Sequence, residues 1–363
     1  MADARDSKSR EGNFVRVRVP PPAQMKNQTM KPKLIVILGA TASGKSDLAV
    51  WLAKNLPGKS GQSARSGQTG TAKKTSRIGG EIISADSRQV YKGLDIGTGK
   101  ITKKEMRGVP HHLLDVASPT SAKKTFTVEQ FKAQAKTAIE QILKRGNVPI
   151  ICGGTGFYIQ AVVDDVSYPN VRPDFALRKK LQKRPAVELF RMLKKLDRWR
   201  AATIDPKNPR RLIRAIEIAK ALGRVQALAE PSKRPFTHLD MRTRKPYDIL
   251  QIGIVPDPKI LKKRIASRLQ KRLKSGMVTE ARRLHANGIS WKRMDELGLE
   301  YRYLARFLQK KISKTEMIRK LNSEIWKYAS RQKTWFKRDS RIHWFTINQK
   351  KDVARAVKIF LGK

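Results

Sequence analysis

The sequence predicts an α/β protein with a doubly wound, mainly parallel sheet, a small helical insertion domain and a helical C-terminal region. Three observations support this. Short β-branched runs alternate with segments of helical periodicity. Two of those runs feed directly into glycine turns, and the last third of the chain spaces its apolar residues every four positions.

The first run, Lys33 to Leu38 (KLIVIL), leads into Gly39-Ala40-Thr41-Ala42-Ser43-Gly44-Lys45-Ser46, and Asp47 to Leu56 then reads as helix. Strand, glycine loop and helix are the setting in which G-x-x-x-x-G-K-S binds phosphate. The glycines let backbone N–H groups close on the anion, Lys45 adds a point charge and Ser46 can ligate Mg²⁺. The sheet is therefore expected to be P-loop NTPase-like. The loop specifies a diphosphate or triphosphate but no reaction. The chain has no Asn-Lys pair, which removes the base-specificity element of GTPases, and Asp86 is the only well-placed acid for a motor-type ATPase.

From Gly58 to Gly80 the chain is Gly, Ser, Thr, Gln and Lys with almost nothing to bury, as in a disordered basic surface insertion. The next strand, Glu81 to Ala85 (EIISA), delivers Asp86-Ser87 at its C-terminal end, the edge where open α/β sheets bind ligands. Asp86 can cap the turn after the strand, or act as a general base or metal ligand. Helical periodicity from Val128 to Lys144 ends at Arg145-Gly146-Asn147. The strand Val148 to Cys152 (VPIIC) then feeds a second glycine turn, Gly153-Gly154-Thr155-Gly156.

Residues 31–164 are read as the first part of the core and 165–205, with short, highly charged helices, as the insertion. Residues 206–348 form the second part, with a helix over Pro206 to Ala221 and a strand over Tyr247 to Val255; a helix closes the chain at 349–363. Leu261, Ile265, Leu269, Leu273 and Met277 make an apolar stripe, and Arg264, Arg268 and Arg272 a row beside it. Such a row is either a solvated flank or a clamp for pyrophosphate. His111-His112 lack metal-site spacing. Trp326 to Arg338 (WKYASRQKTWFKR) interleaves aromatics with cations, so it either packs on the core or forms a surface that stacks on bases; the charge background favours RNA.

That background is extreme. Among 363 residues, 79 Lys plus Arg stand against 30 Asp plus Glu, a formal net charge of +49, which implies a polyanionic partner, nucleic acid first. The single cysteine, Cys152, excludes an intramolecular disulfide and Cys₂His₂ or Cys₄ zinc sites, and suggests a reducing compartment. Residues 1–30, with Pro20-Pro21-Pro22, read as a disordered basic tail. They hold no apolar stretch of signal length, and Asp3, Asp6 and Glu11 argue against a transit peptide. No apolar run approaches the roughly 20 residues of a membrane span. A cytoplasmic monomer is expected.

Seven words occur in order: "GATASGKS" at 39–46, "ADSRQVYKGLDIGTGK" at 85–100, "VPHHLLD" at 109–115, "GGTGFY" at 153–158, "NPRRLIRAIE" at 208–217, "ELGLEYR" at 296–302 and "SRQKTWFKR" at 330–338. With them the chain closely resembles the tRNA dimethylallyltransferases, or tRNA isopentenyltransferases, from about Lys33 to about Thr346. The resemblance implies that the loop Gly39 to Ser46 holds the pyrophosphate of dimethylallyl diphosphate. The acceptor is then N6 of the adenine on the 3′ side of the anticodon, in tRNAs reading codons beginning with U, and the partner is a tRNA anticodon stem-loop.

By the same resemblance Asp86 is the catalytic base, and Thr155 lies near the amine and the leaving group. Lys45, Arg268 and Mg²⁺ held through Ser46 stabilise the departing pyrophosphate. Arg178 contacts tRNA from the insertion, as do the segments Asp86-Ser87-Arg88-Gln89 and Arg210-Arg211-Leu212-Ile213-Arg214, and the target base is extruded into a channel. Three features depart from the family pattern. Ala40 stands where a proline is usual, the tail and the 58–80 insertion have no counterpart in typical bacterial members, and the zinc finger of eukaryotic relatives is absent. The last points to a bacterial-type enzyme. The rivals are an adenylate isopentenyltransferase acting on free AMP, ADP or ATP, and an RNA-binding protein using the loop as a nucleotide switch.

Overall fold

The computed structural model describes residues 31–56, 79–120, 125–169, 171–228 and 246–362. The expected basic tail and all but the last two residues of the 58–80 insertion lie outside them.

Six strands form one sheet: β1 (Lys33–Gly39), β2 (Gly80–Ala85), β3 (His111–His112), β4 (Val148–Gly153), β5 (Asp248–Ile254) and β6 (Ile342–Phe345). Their spatial order is β3-β2-β4-β1-β5-β6 and every pairing is parallel. In the register, Leu38 lies opposite Gly153, Ala85 opposite Gly153, and Gly39 opposite Ile254. The C-terminal ends of β1, β2, β4 and β5 therefore meet at one edge. All of β1 beyond Lys33 is buried, the mark of a strand covered on both faces. The two shortest strands, β3 and β6, are too short to show a period of their own.

The helices after β1, β2, β3 and β4 are α1 (Lys45–Asn55), α2 (Lys103–Met106), α3 (Val128–Lys144) and α4 (Gly156–Val163). A capping box starts α3: Thr127 Oγ1 accepts the Gln130 N–H and Gln130 Oε1 accepts the Thr127 N–H. The charged region then folds as α5 (Phe175–Leu181), α6 (Ala186–Leu196), α7 (Arg198–Thr203) and α8 (Pro209–Leu228), the last broken at Gly223, whose φ is 78°. The C-terminal third holds α9 (Pro258–Lys274), α10 (Met277–Ala286), α11 (Trp291–Leu297), α12 (Leu299–Leu308), α13 (Lys314–Phe336) and α14 (Lys350–Leu361). Asp257 caps α9 through the N–H groups of Lys259 and Ile260, with Pro258 in the first turn.

The alternation along β1 sorts the core. Leu34, Val36 and Leu38 pack with residues of α3, α4 and α9 to α13, whereas Ile35 and Ile37 pack with Leu48 and Leu52 of α1 and with Val353 and Val357 of α14. Helices on both faces make the sheet doubly wound. A third cluster joins Leu181, Leu189, Leu193 and Ala201 to Leu212, Ile213 and Ile216. The helix expected from Pro206 thus starts at Pro209 and packs with the insertion, so the helical layer runs past residue 205 into α8.

Candidate active site

A cavity of about 930 Å³ opens at the C-terminal sheet edge. One wall is the phosphate loop. Gly44, at φ 95°, turns the chain so that α1 begins at Lys45 with its free N–H groups and positive dipole end at the loop. Thr41, Ala42, Gly44, Lys45 and Ser46 line the cavity. Gly39, Ala40 and Ser43 do not; Ser43 is fully buried behind it.

The cations of this wall are short of partners. Lys45 Nζ donates to the Ala40 carbonyl at 3.1 Å, and Arg268 Nη2 to the Gly99 carbonyl at 2.9 Å; among the described residues neither pairs with a carboxylate. Burial pushes the pKa of Lys45 down, with Cys152 and Asp86 pulling the other way. Burial, then the neighbouring Arg272, pushes Arg268 down as well. Two neighbouring like charges, one half-buried and one exposed at the cavity, with no carboxylate partner among the described residues favour a bound anion. Of the α9 arginine row, Arg264 also lines the cavity and reaches the Ser43 carbonyl at 3.4 Å. Arg272 is instead held by Glu300 at 2.9 Å and the Gly97 carbonyl at 2.6 Å.

Opposite the loop stands the end of β2. Asp86 Oδ1 accepts the N–H of Arg88 at 2.8 Å and of Gln89 at 3.3 Å, so the residue does cap the turn. Its Oδ2 has no donor among the described residues, and Asp86, Ser87, Arg88 and Gln89 all line the cavity. One oxygen positions the carboxylate, and the other is left to take a proton or a cation. Thr155 sits a layer back: its Oγ1 accepts the Ser87 N–H at 3.0 Å, and its own N–H donates to the Ala85 carbonyl at 3.1 Å. It does not line the cavity itself and reaches it through Ser87, whose N–H it accepts; Tyr328 of α13 also lines the space.

Sequence reasoning missed two residues of this wall, both on α13. Gln332 Oε1 accepts the Thr41 N–H at 2.8 Å while its Nε2 donates to the Gly154 carbonyl at 2.7 Å, tying one glycine turn to the other. Tyr328 is the other. Both lie in the stretch read for its aromatics and cations, and no local pattern marks them. In that stretch Trp326, Trp335 and Phe336 pack against the core, which overturns the leaning towards a base-stacking surface for these three.

The tRNA set divides. Arg178 makes a two-pronged pair with Glu217, Nε to Oε1 at 2.9 Å and Nη2 to Oε2 at 2.8 Å. Arg214 pairs with the same carboxylate and donates to the Val171 carbonyl at 2.9 Å. Leu212 and Ile213 are buried in the insertion core, whereas Arg210 and Arg211 are exposed. None of these residues lines the cavity.

His112 Nε2 meets Glu81 at 2.7 Å, a structural placement as expected, although His111 lines the cavity. Cys152 is buried as a free thiol, pushed up to about 11 by burial. Among the described residues no group of three or more His, Cys, Asp or Glu could hold a metal ion by itself, and no helix is long and apolar enough to cross a membrane.

Residues 89–339 match the family model described as IPP transferase. The chain is 38% identical over 315 residues to tRNA dimethylallyltransferase 1 of Syntrophus aciditrophicus, covering 86% of this chain and 92% of that one. It is 40% identical over 307 residues to tRNA dimethylallyltransferase 2 of Citrifermentans bemidjiense, covering 85% and 87%. Its structure is similar to the crystal structure of the full-length tRNA isopentenylpyrophosphate transferase from Bacillus halodurans, with TM-score 0.62, 31% identity and coverage of 92% of this chain and 97% of that one. The all-parallel sheet with its phosphate loop, the spread of the match and the level of identity lead to one conclusion: this chain belongs to the IPP transferase family.

Proposed function

We propose that the protein transfers the dimethylallyl group of dimethylallyl diphosphate to N6 of the adenine 3′ of the anticodon, in tRNAs reading codons beginning with U. The observation that carries this reading is the pairing of opposite walls in one cavity: cations with no carboxylate partner among the described residues, the half-buried Lys45 and the exposed Arg268, across from a carboxylate with a free oxygen, Asp86. The Syntrophus and Citrifermentans relatives are tRNA dimethylallyltransferases, which supports the same chemistry.

In the reaction the adenine amine attacks the prenyl C1, the C1–O bond breaks and pyrophosphate leaves with the bonding electrons. The proton lost by N6 goes to Asp86 Oδ2. Negative charge grows on the leaving group, where the loop N–H groups, Lys45 and Arg268 stabilise it. Thr155 acts through the Ser87 amide, holding the turn that presents Asp86.

Mg²⁺ suits the oxygen donors available. This ion needs only one or two protein oxygens beside substrate phosphates and water, and Ser46, the residue proposed to hold it, lines the cavity with Asp47 and Asp86. When bound it would neutralise charge on the departing pyrophosphate. Arg210 and Arg211 are exposed and can meet tRNA phosphates, and Arg88 and Gln89 meet the extruded base at the cavity. The enzyme acts as a monomer in the reducing cytoplasm, consistent with the unpaired Cys152 thiol.

An adenylate isopentenyltransferase would need no insertion with its own core, and the α5 to α8 layer has one. The test is transfer of labelled dimethylallyl diphosphate to an anticodon stem-loop, with AMP as parallel acceptor and Mg²⁺ present or withheld. Label on the stem-loop, dependent on Mg²⁺, is expected. Label on AMP alone would move the protein to the free-nucleotide reading.

A further inference from the structure

Glu280 of α10 lies outside the cavity and is 3% exposed, yet its carboxylate is saturated with donors. Oε2 accepts the N–H groups of Asp95 at 3.0 Å and Ile96 at 2.6 Å. Oε1 accepts the N–H of Gly97 at 2.9 Å and the Tyr301 hydroxyl at 2.7 Å. Four donors meet the two oxygens of this carboxylate, so neither is left without a partner in its buried position.

What these bonds hold is a loop with no room to move. Gly97 lies on the Tyr301 ring, where a Cβ would come within 2.6 Å, and Gly99, at φ 59°, leaves a Cβ only 2.5 Å from Arg268 Nη2. The loop's outward carbonyls are the anchors of the arginine row. Gly97 O accepts from Arg272 Nη1 at 2.6 Å, and Gly99 O accepts from Arg268 Nη2 at 2.9 Å and Gln89 Nε2 at 3.3 Å. Arg268 has no carboxylate partner among the described residues, and both Lys45 and Arg272 repel it. Its direction therefore depends on a single carbonyl, and the place of that carbonyl depends on Glu280.

We propose that Glu280 is a positioning residue for the transfer reaction: through the loop from Asp95 to Gly99 it aims the Arg268 guanidinium at the diphosphate. The proposal rests on Arg268 acting on the diphosphate in the transfer reaction. Glu280 touches no substrate, and its effect passes entirely through Arg268.

Four variants test this: Glu280→Gln, Arg268→Ala, the double variant, and Gly99→Ala. Glu280→Gln keeps the shape but turns an N–H₂ group towards N–H donors. It is expected to lower kcat and weaken pyrophosphate binding, each by about 10- to 100-fold, as misplacement of a distant support does. Stem-loop Kd should stay within about twofold. In the Arg268→Ala background the same change should add less than about twofold to either loss. Losses that multiply in the double variant, or unchanged pyrophosphate affinity in Glu280→Gln, would overturn the proposal.

If Glu280→Gln does not fold, Gly99→Ala tests the last step of the path, because its Cβ displaces the Arg268 guanidinium directly. It must weaken pyrophosphate binding and leave stem-loop Kd in place, and wild-type pyrophosphate affinity in that variant overturns the proposal too. Pyrophosphate affinity is read by calorimetry, independently of transfer. A wild-type protein that transfers no label would therefore sink the transferase reading and the kinetic half of this proposal, while the pyrophosphate affinities of the variants would still decide whether Glu280 aims Arg268.

Discussion

Replacing Gln332 by Ala cuts the tie between the phosphate loop and the second glycine turn. The Gln332 amide is 6% exposed and makes two bonds of opposite sense, accepting from Thr41 N at 2.8 Å and donating to Gly154 O at 2.7 Å. A flipped amide would set N–H against N–H and oxygen against oxygen. A buried backbone group that loses its partner costs about 1–3 kcal/mol. Water from the cavity can reach the Thr41 N–H, which favours the lower part of that range and gives about 2–4 kcal/mol for both groups together.

At about 2–4 °C per kcal/mol for a chain of a few hundred residues, the midpoint should fall by about 4–16 °C. Function should change in the same variant, because the loosened loop is the diphosphate wall: KM for dimethylallyl diphosphate should rise while stem-loop Kd holds. Gln332→Glu keeps an acceptor for Thr41 but sets an anionic oxygen against Gly154 O and beside the diphosphate, so its KM should rise further. Calorimetric melting and steady-state transfer measure both effects. A midpoint within about 1 °C of wild type, with unaltered KM, would refute the argument that this amide holds the two turns together.

Asp86→Asn keeps the acceptor for the Arg88 and Gln89 amides but removes the proton acceptor, so transfer should fall about 10²–10⁴-fold with stem-loop Kd unchanged; retained turnover in single-turnover kinetics would remove Asp86 as base. In the insertion, Arg210→Ala and Arg211→Ala should each lower the slope of log K against log salt by about 1 without moving the melting midpoint. Arg178→Ala should instead destabilise the layer by about 1–3 kcal/mol, since it strips one of two arginines from buried Glu217; equal salt slopes for all three variants would contradict the division.

The acid limb of stability tests Glu81. Burial would raise its pKa, but hydrogen bonds from Arg145, Asn147 and His112 outweigh burial and hold it at about 2, against an ordinary 4.5. A depressed carboxylate contributes stability that is complete above about pH 4.5 and is lost as pH falls towards 2, so Glu81→Gln should flatten urea midpoints across that window. An unchanged slope would show that the cluster does not act this way.

Much of the core was readable from local pattern. β1, β4 and β5 are buried β-branched runs whose observed bounds lie within a residue or two of those read from the sequence, and α3 begins at its capping box and ends before Arg145-Gly146-Asn147. Strands buried on both faces and helices with strong caps carry their signal within a few residues. The boundary at residue 205 was misread because α8 has a helical period whichever cluster it joins, and only packing shows that Leu212 and Ile216 meet Leu189 and Leu193.

By itself the sequence determined the doubly wound scaffold, the phosphate loop with Lys45 and Ser46, and the acid at the end of the next strand. Each of these is a local pattern, set by backbone dihedrals and side-chain periodicity. Only the tertiary structure decided that Thr155 lies a layer back behind Ser87, that Arg178 and Arg214 are occupied by Glu217, and that Gln332 joins the two glycine turns while Glu280 gathers the amides of Asp95 to Gly97. Those bonds join residues far apart in the chain, where a buried donor must find its acceptor across the fold. No spacing along the sequence records which partner it finds.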